Sequence, residues 1–148
     1  MLRAGIAGGL VGAVTSWLYE LVVWVHFLHL TTVPGIAENT AVLSFGPGIR
    51  TLGGAALALG VAIHFLTAVI WGALFAFIWP LLKARSIEAT LAALCYGIFA
   101  WVVMHNVVLA LFSPAPPHYT VYSVINGLMA HTFAFSVPMA LVIKRLLR

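Results

Sequence analysis

Charge is what this sequence lacks most. Only 7% of its residues are charged and 64% are hydrophobic, against about a quarter charged in a soluble domain. A water-facing surface cannot be covered with so few charges, so the apolar surface must meet lipid. Acidic residues number three. Neither paired catalytic carboxylates nor a Ser-His-Asp order can be assembled from so few, and no phosphate-binding loop is present. Cysteine is nearly absent. Cys95 alone excludes an intrachain disulfide and falls in an apolar stretch, where it reads as a small apolar side chain. No Asn-x-Ser/Thr acceptor occurs. The net charge of +4 is a small excess placed at the ends of apolar runs, which excludes nucleic acid as a partner and fits membrane topology.

What is there is apolar length. A helix needs roughly 20 residues to cross a hydrocarbon core of about 30 Å. Four stretches meet that length: residues 4–28, 55–79, 89–112 and 123–147. Met1-Leu2-Arg3 opens like a signal peptide, but the apolar run continues too far without a small-residue cleavage site, which predicts an uncleaved first span. Pro80 is expected to stop the second span, and Ser113-Pro114-Ala115-Pro116-Pro117 the third, because proline cannot continue a helix ladder. Ser86 and Glu88 read as a hydroxyl cap and a first-turn acid for the third span. Pro138 frees the carbonyl of Ala134 and predicts a kink in the fourth. The segment 31–54, with turns at Pro34-Gly35 and Gly46-Pro47-Gly48, reads as a surface helix or a cap over the bundle.

Arg3, Lys83, Arg85, Lys144, Arg145 and Arg148 flank the spans on one side, and only Arg50 lies on the other. Because Lys and Arg are retained in the cytoplasm, both termini are expected inside. The fold class is therefore all-α, an integral membrane four-helix bundle in a single domain, with the lipid bilayer as its principal partner. Trp24, Tyr119 and Tyr122 read as interfacial anchors.

Residues four apart share a helix face. Gly8, Gly12 and Ser16 lead to Glu20. Gly60 leads to His64, then Ala68, Gly72 and Ala76. Ala89, Ala93 and Gly97 lead through Trp101 to His105, and Gly127 leads to His131. Small residues at this spacing let helices approach closely, within the chain or toward a second copy or another membrane protein. At about 1.5 Å per residue, Glu20, His64, His105 and His131 all fall in the outer half of the core, as do Asn106 and Asn126. His26 and His29 sit at the outer mouth of span one, and His118 in the outer loop before span four. A charged carboxylate at mid-bilayer costs on the order of 3 kcal/mol, and a Glu–His⁺ pair would offset it. Two readings remain open: separate interhelical hydrogen bonds, worth about 1 kcal/mol each, or a convergent polar cluster that handles protons or small ions. The alternative cluster readings are a metal site built from His64, His105 and His131, or a haem between His64 and His131, although no ligand motif marks either cofactor. A passive subunit of a larger membrane complex is the remaining alternative.

The second half resembles the YagU-like bacterial inner-membrane proteins. The resemblance rests on Ala62-Ile63-His64-Phe65 opening a span with Gly72, on Val103-Met104-His105 before the proline-rich segment, and on His131 in a last span ending Lys144-Arg145. It covers roughly residues 55–148, so Glu20 lies outside it. It implies an inner-membrane protein with a loose link to acid tolerance and no assigned enzyme activity.

The topology predicts that a reporter fused after Arg148 is active in the cytoplasm. An exported reporter at that position refutes the arrangement of termini.

Overall fold

A computed structural model describes residues 1–114 and 119–147. His118 and Arg148 lie outside the described residues. Four helices are long and apolar enough to cross a membrane: α1 (Leu2–Phe27), α3 (Gly54–Ala84), α4 (Ala89–Leu111) and α5 (Val121–Leu146). A shorter helix, α2 (Val33–Phe45), and a 3₁₀ turn (Pro47–Leu52) fill the connection between α1 and α3. No strand occurs among the described residues. Every span presents large apolar side chains outward, among them Leu10, Leu66, Phe77, Phe99 and Phe133, as a lipid-embedded bundle requires.

Glycine places α1 at the centre. Its Gly5 and Gly9 face α3, while Gly8 and Gly12 face α5. A Cβ added at Gly9 would sit 2.7 Å from Val69 Cα, and one at Gly12 would sit 2.7 Å from the Phe135 ring. The α3 partner of the first face is Gly72, whose added Cβ would lie 2.7 Å from Gly9 Cα. Farther along α3, Gly60 meets the Ala37 carbonyl of α2, and Gly97 brings α4 onto the Thr132 backbone of α5. The small-residue stripes are thus buried helix contacts. Their glycines are occupied by contacts within the chain.

The helices α3 and α4 meet differently, through aromatic side chains. Tyr96 packs edge-on against Trp71 and Phe75, and its hydroxyl donates to the Trp71 carbonyl at 2.7 Å. Phe75, Ser136, Met139 and Ile143 are fully buried. With Trp71 and Trp79 they fill the half of the bundle nearer the basic ends of the helices.

Several boundaries differ from the sequence expectation. Span two does not stop at Pro80: α3 runs through it to Ala84, held by Trp79 and Leu82, which pack on the core from either side. Ser86 is not the cap of the next helix. It takes φ 56°, its N–H bonds to the Lys83 carbonyl, and the Ile87 N–H reaches the Leu82 carbonyl, so it closes α3 in the position glycine usually holds. Glu88 is the N-cap of α4, accepting from the N–H groups of Thr90 and Leu91, and it pairs with Lys144 at 3.5 Å. Desolvation pushes the Glu88 carboxyl up, but the hydrogen bonds from Thr90 and Leu91 and the charge of Lys144 together outweigh it and hold the carboxyl below its ordinary range. Whatever stability the cap adds is therefore present above the unfolded carboxyl's pKa and is lost as pH falls through the lower folded value. Thr120 caps α5 reciprocally with Ser123, which moves the start of the fourth span to Val121. Arg50, the one basic residue opposite the others, pairs with Glu38 at 3.5 Å.

Because Gly72 meets backbone rather than flexible side chain, Gly72→Leu should destabilise the purified protein by about 3 kcal/mol or more. Ile70→Leu, on an exposed position, should change it by less than about 0.5 kcal/mol. Equal thermal midpoints for the two variants would refute the glycine contact.

Candidate functional site

The half of the bundle away from the basic ends is hollow. A cavity of about 530 Å³ is walled by all five helices, with Ala68, Trp71 and Phe135 of the packed core also on its wall. Glu20 from α1, His64 from α3, His105 from α4 and His131 from α5 all line it. Four spans each deliver one ionisable side chain to one space.

The spans are not regular here. Glu20 opens a π-helical segment of α1 (Glu20–Phe27), His105 lies in one in α4 (Met104–Val108), and His131 in one in α5 (Ala130–Ser136). In π turns the N–H reaches the carbonyl five residues back, which widens the helix and shifts the side-chain register. The α5 segment ends beside Pro138. The Ala134 carbonyl that Pro138 deprives of its N–H is met by the Thr15 hydroxyl at 2.5 Å. Thus α1 satisfies a backbone group that lipid could not.

Hydrogen bonds fix the histidine tautomers. Nδ1 of His105 lies 3.0 Å from the Trp101 carbonyl, and Nδ1 of His131 lies 2.9 Å from that of Gly127. A carbonyl only accepts, so both rings carry hydrogen on Nδ1 and keep a lone pair on Nε2. His64 is the reverse: its Nε2 donates to the Ala13 carbonyl at 3.2 Å, with the Ser16 hydroxyl at 3.5 Å, leaving Nδ1 as the acceptor. The rings of His105 and His131 meet edge to face, 5.5 Å between centroids. His105 also stacks on Trp101 at 4.8 Å, and His64 on Trp17 at 5.6 Å. The Tyr119 hydroxyl donates to the His105 carbonyl and is raised from its ordinary pKa by desolvation.

Glu20 stands apart. Its carboxyl has no hydrogen bond and no ion pair among the described residues, so the expected Glu–His⁺ pair is not formed. The two asparagines are also elsewhere. Asn106 is exposed and bonds back to the Val102 carbonyl. Asn126 accepts from the Tyr19 hydroxyl at 3.1 Å. Neither lines the cavity, because each sits one position away from its helix's inward face, where matched depth alone does not bring side chains together. Trp24, expected as an interfacial anchor, also lines the cavity. The wall contributed by α2, with Ile36, Asn39, Thr40, Leu43, Ser44 and Phe45, has no signal in the sequence beyond the turn residues that flank it.

Among the described residues, no three His, Cys, Asp or Glu side chains are grouped closely enough to hold a metal ion. The metal reading therefore has no ligand set. No protein-family model, curated protein or solved structure matches the chain.

The carbonyl contacts predict that nitrogen NMR of the neutral rings shows His105 and His131 with hydrogen on Nδ1 and His64 with hydrogen on Nε2. A shared tautomer for all three would contradict the geometry.

Proposed function

We propose that the chain is a non-enzymatic multi-pass protein of the bacterial inner membrane, with cytoplasmic termini, that responds to external protons through its histidine-lined cavity. The observation that carries this reading is the delivery of Glu20, His64, His105 and His131 by four separate spans to one cavity wall. Three neutral imidazoles within one confined space present three free lone pairs, and each is a site that can take a proton as the pH falls. Each proton adds positive charge beside rings already in contact, and Glu20 is the only acid on the wall. The facing groups on the remaining elements add no compensating charge. The α2 wall offers only Asn39, Thr40 and Ser44 as polar groups, and Glu38 is engaged by Arg50. Tyr119 packs against His105 with a phenol that stays neutral as the pH falls.

Acidification therefore sets like charges against one another and loosens this half of the bundle, while the half filled by Phe75, Met139 and Ile143 stays packed. The π turns are the compliant elements, since their hydrogen-bond register already departs from the regular ladder. The resemblance to the YagU-like proteins, with their link to acid tolerance, points the same way.

In detergent, the wild-type thermal midpoint should fall by roughly 3–6 °C between pH 7.5 and pH 5, corresponding to about 1–2 kcal/mol. Glu20→Gln, which removes the one counter-charge, should steepen the fall, and His64→Ala should flatten it. Glu88 does not confuse the readout, because carboxyls of its kind titrate below about pH 4.5. Identical profiles for the three proteins would reduce the histidines to separate interhelical hydrogen-bonding groups.

A further inference from the structure

The cavity wall is one-sided in its chemistry. Of the three acids, Glu38 pairs with Arg50 and Glu88 with Lys144, each at 3.5 Å. Glu20, inside the cavity, pairs with nothing among the described residues, and no Lys or Arg lines the wall. The histidines present lone pairs, on Nε2 of His105 and His131 and on Nδ1 of His64. The hydroxyls of Ser16, Thr40 and Ser44 already donate to the carbonyls of Ala13, Ile36 and Thr40, so they too offer mainly acceptor capacity. Opposed to these as donors are few groups: the Thr67 hydroxyl on the wall, the Trp24 indole N–H, which lacks a protein partner among the described residues but is sealed from solvent, and the Asn39 amide, directed to the Thr31 hydroxyl. The rest of the wall is apolar and aromatic, including Phe45, Trp71 and Phe135.

Acceptors in excess of donors, one unpaired carboxyl and aromatic faces select a ligand by exclusion. An anion finds no cation. A purely apolar occupant, such as an acyl chain, leaves the carboxyl desolvated and unpaired, which costs free energy. A divalent metal finds no three grouped ligands, and any small inorganic ion leaves most of 530 Å³ unfilled. That volume is in the range of small organic ligands, about 300–1,000 Å³. We propose that the cavity binds a monovalent organic ammonium ion, its N–H groups on Glu20 and the free histidine nitrogens and its apolar body against the aromatic wall. Ring faces attract the cation as well. This rests on the cavity being the functional site of the preceding reading, but not on its histidines changing charge.

The test is calorimetric titration of the purified chain in lipid nanodiscs at pH 8, where free histidine is neutral. The probe is 2-phenylethylammonium, and 2-phenylethanol is its neutral counterpart of similar shape. The wild type should bind the ammonium saturably and at least tenfold more tightly than the alcohol. Glu20→Gln should abolish that preference, and Glu20→Asp, which keeps the charge, should retain it. Circular dichroism and thermal midpoints establish that both variants are folded. Should Glu20→Gln fail to fold, the wild-type preference decides without it. No saturable binding, equal affinity for the two compounds, or a folded Glu20→Gln that keeps the preference would each overturn the assignment. A flat pH profile of stability with intact ammonium binding removes the proton-responsive reading and leaves this one. The opposite result does the reverse.

Discussion

Lipid offers no hydrogen bonds, and the arrangement of this molecule follows from that constraint. A polar group inside the spans can find a partner only in the protein, and although the indole N–H groups of Trp24 and Trp79 and the Ser136 hydroxyl find none among the described residues, many do. Most do so by bonding back along their own helix, as His105, His131 and Thr132 do to carbonyls four residues earlier. The exceptions mark the places where helices depend on one another. Thr15 reaches the carbonyl exposed by Pro138, His64 reaches the backbone of α1, Tyr96 reaches that of α3, and Tyr19 reaches Asn126. Removing water makes these few bonds specific, because the alternative for each group is no partner at all.

Backbone approach is the second requirement. With lipid as apolar as leucine, helices gain nothing by simply hiding apolar surface, and association depends on close packing. Two interleaved glycine pairs on α1 put α3 on one side and α5 on the other at near-contact distance. The side between α3 and α4 is spanned by aromatic rings instead. Close packing around α1 and wider spacing elsewhere leave one half solid and the other hollow, and the polar side chains of four spans are found at the hollow half.

The cavity therefore belongs to the bundle and to no single helix. Its wall uses α2 as well, which Gly60 holds against α3 through the Ala37 carbonyl. The π turns in α1, α4 and α5 carry three of the four ionisable residues. A widened turn both redirects a side chain and weakens the local ladder, so the positions where polar groups are presented are also where the helices yield most easily.

Composition and apolar run length determined that this is a membrane bundle of four spans, because a hydrocarbon core of fixed thickness leaves few solutions for so little charge. The spacing of Gly60, His64, Ala68, Gly72 and Ala76 likewise told which face of α3 is buried, since helical periodicity maps sequence directly onto a surface. Helix ends were less legible. Pro80 and Ser86 were misread because packing of Trp79 and Leu82 outweighs the local preference of proline, and because a left-handed residue can be serine when the following turn holds it. The depth of Glu20, His64, His105 and His131 could be computed from rise per residue, but the angular position of each around its axis could not, since π turns shift it. The same shortfall misplaced Asn106 and Asn126. Which side chains share the cavity, which ring nitrogens are free and which acid lacks a partner were settled only when five helices packed together. These are contacts between residues tens of positions apart, and spacing along one helix carries no information about them.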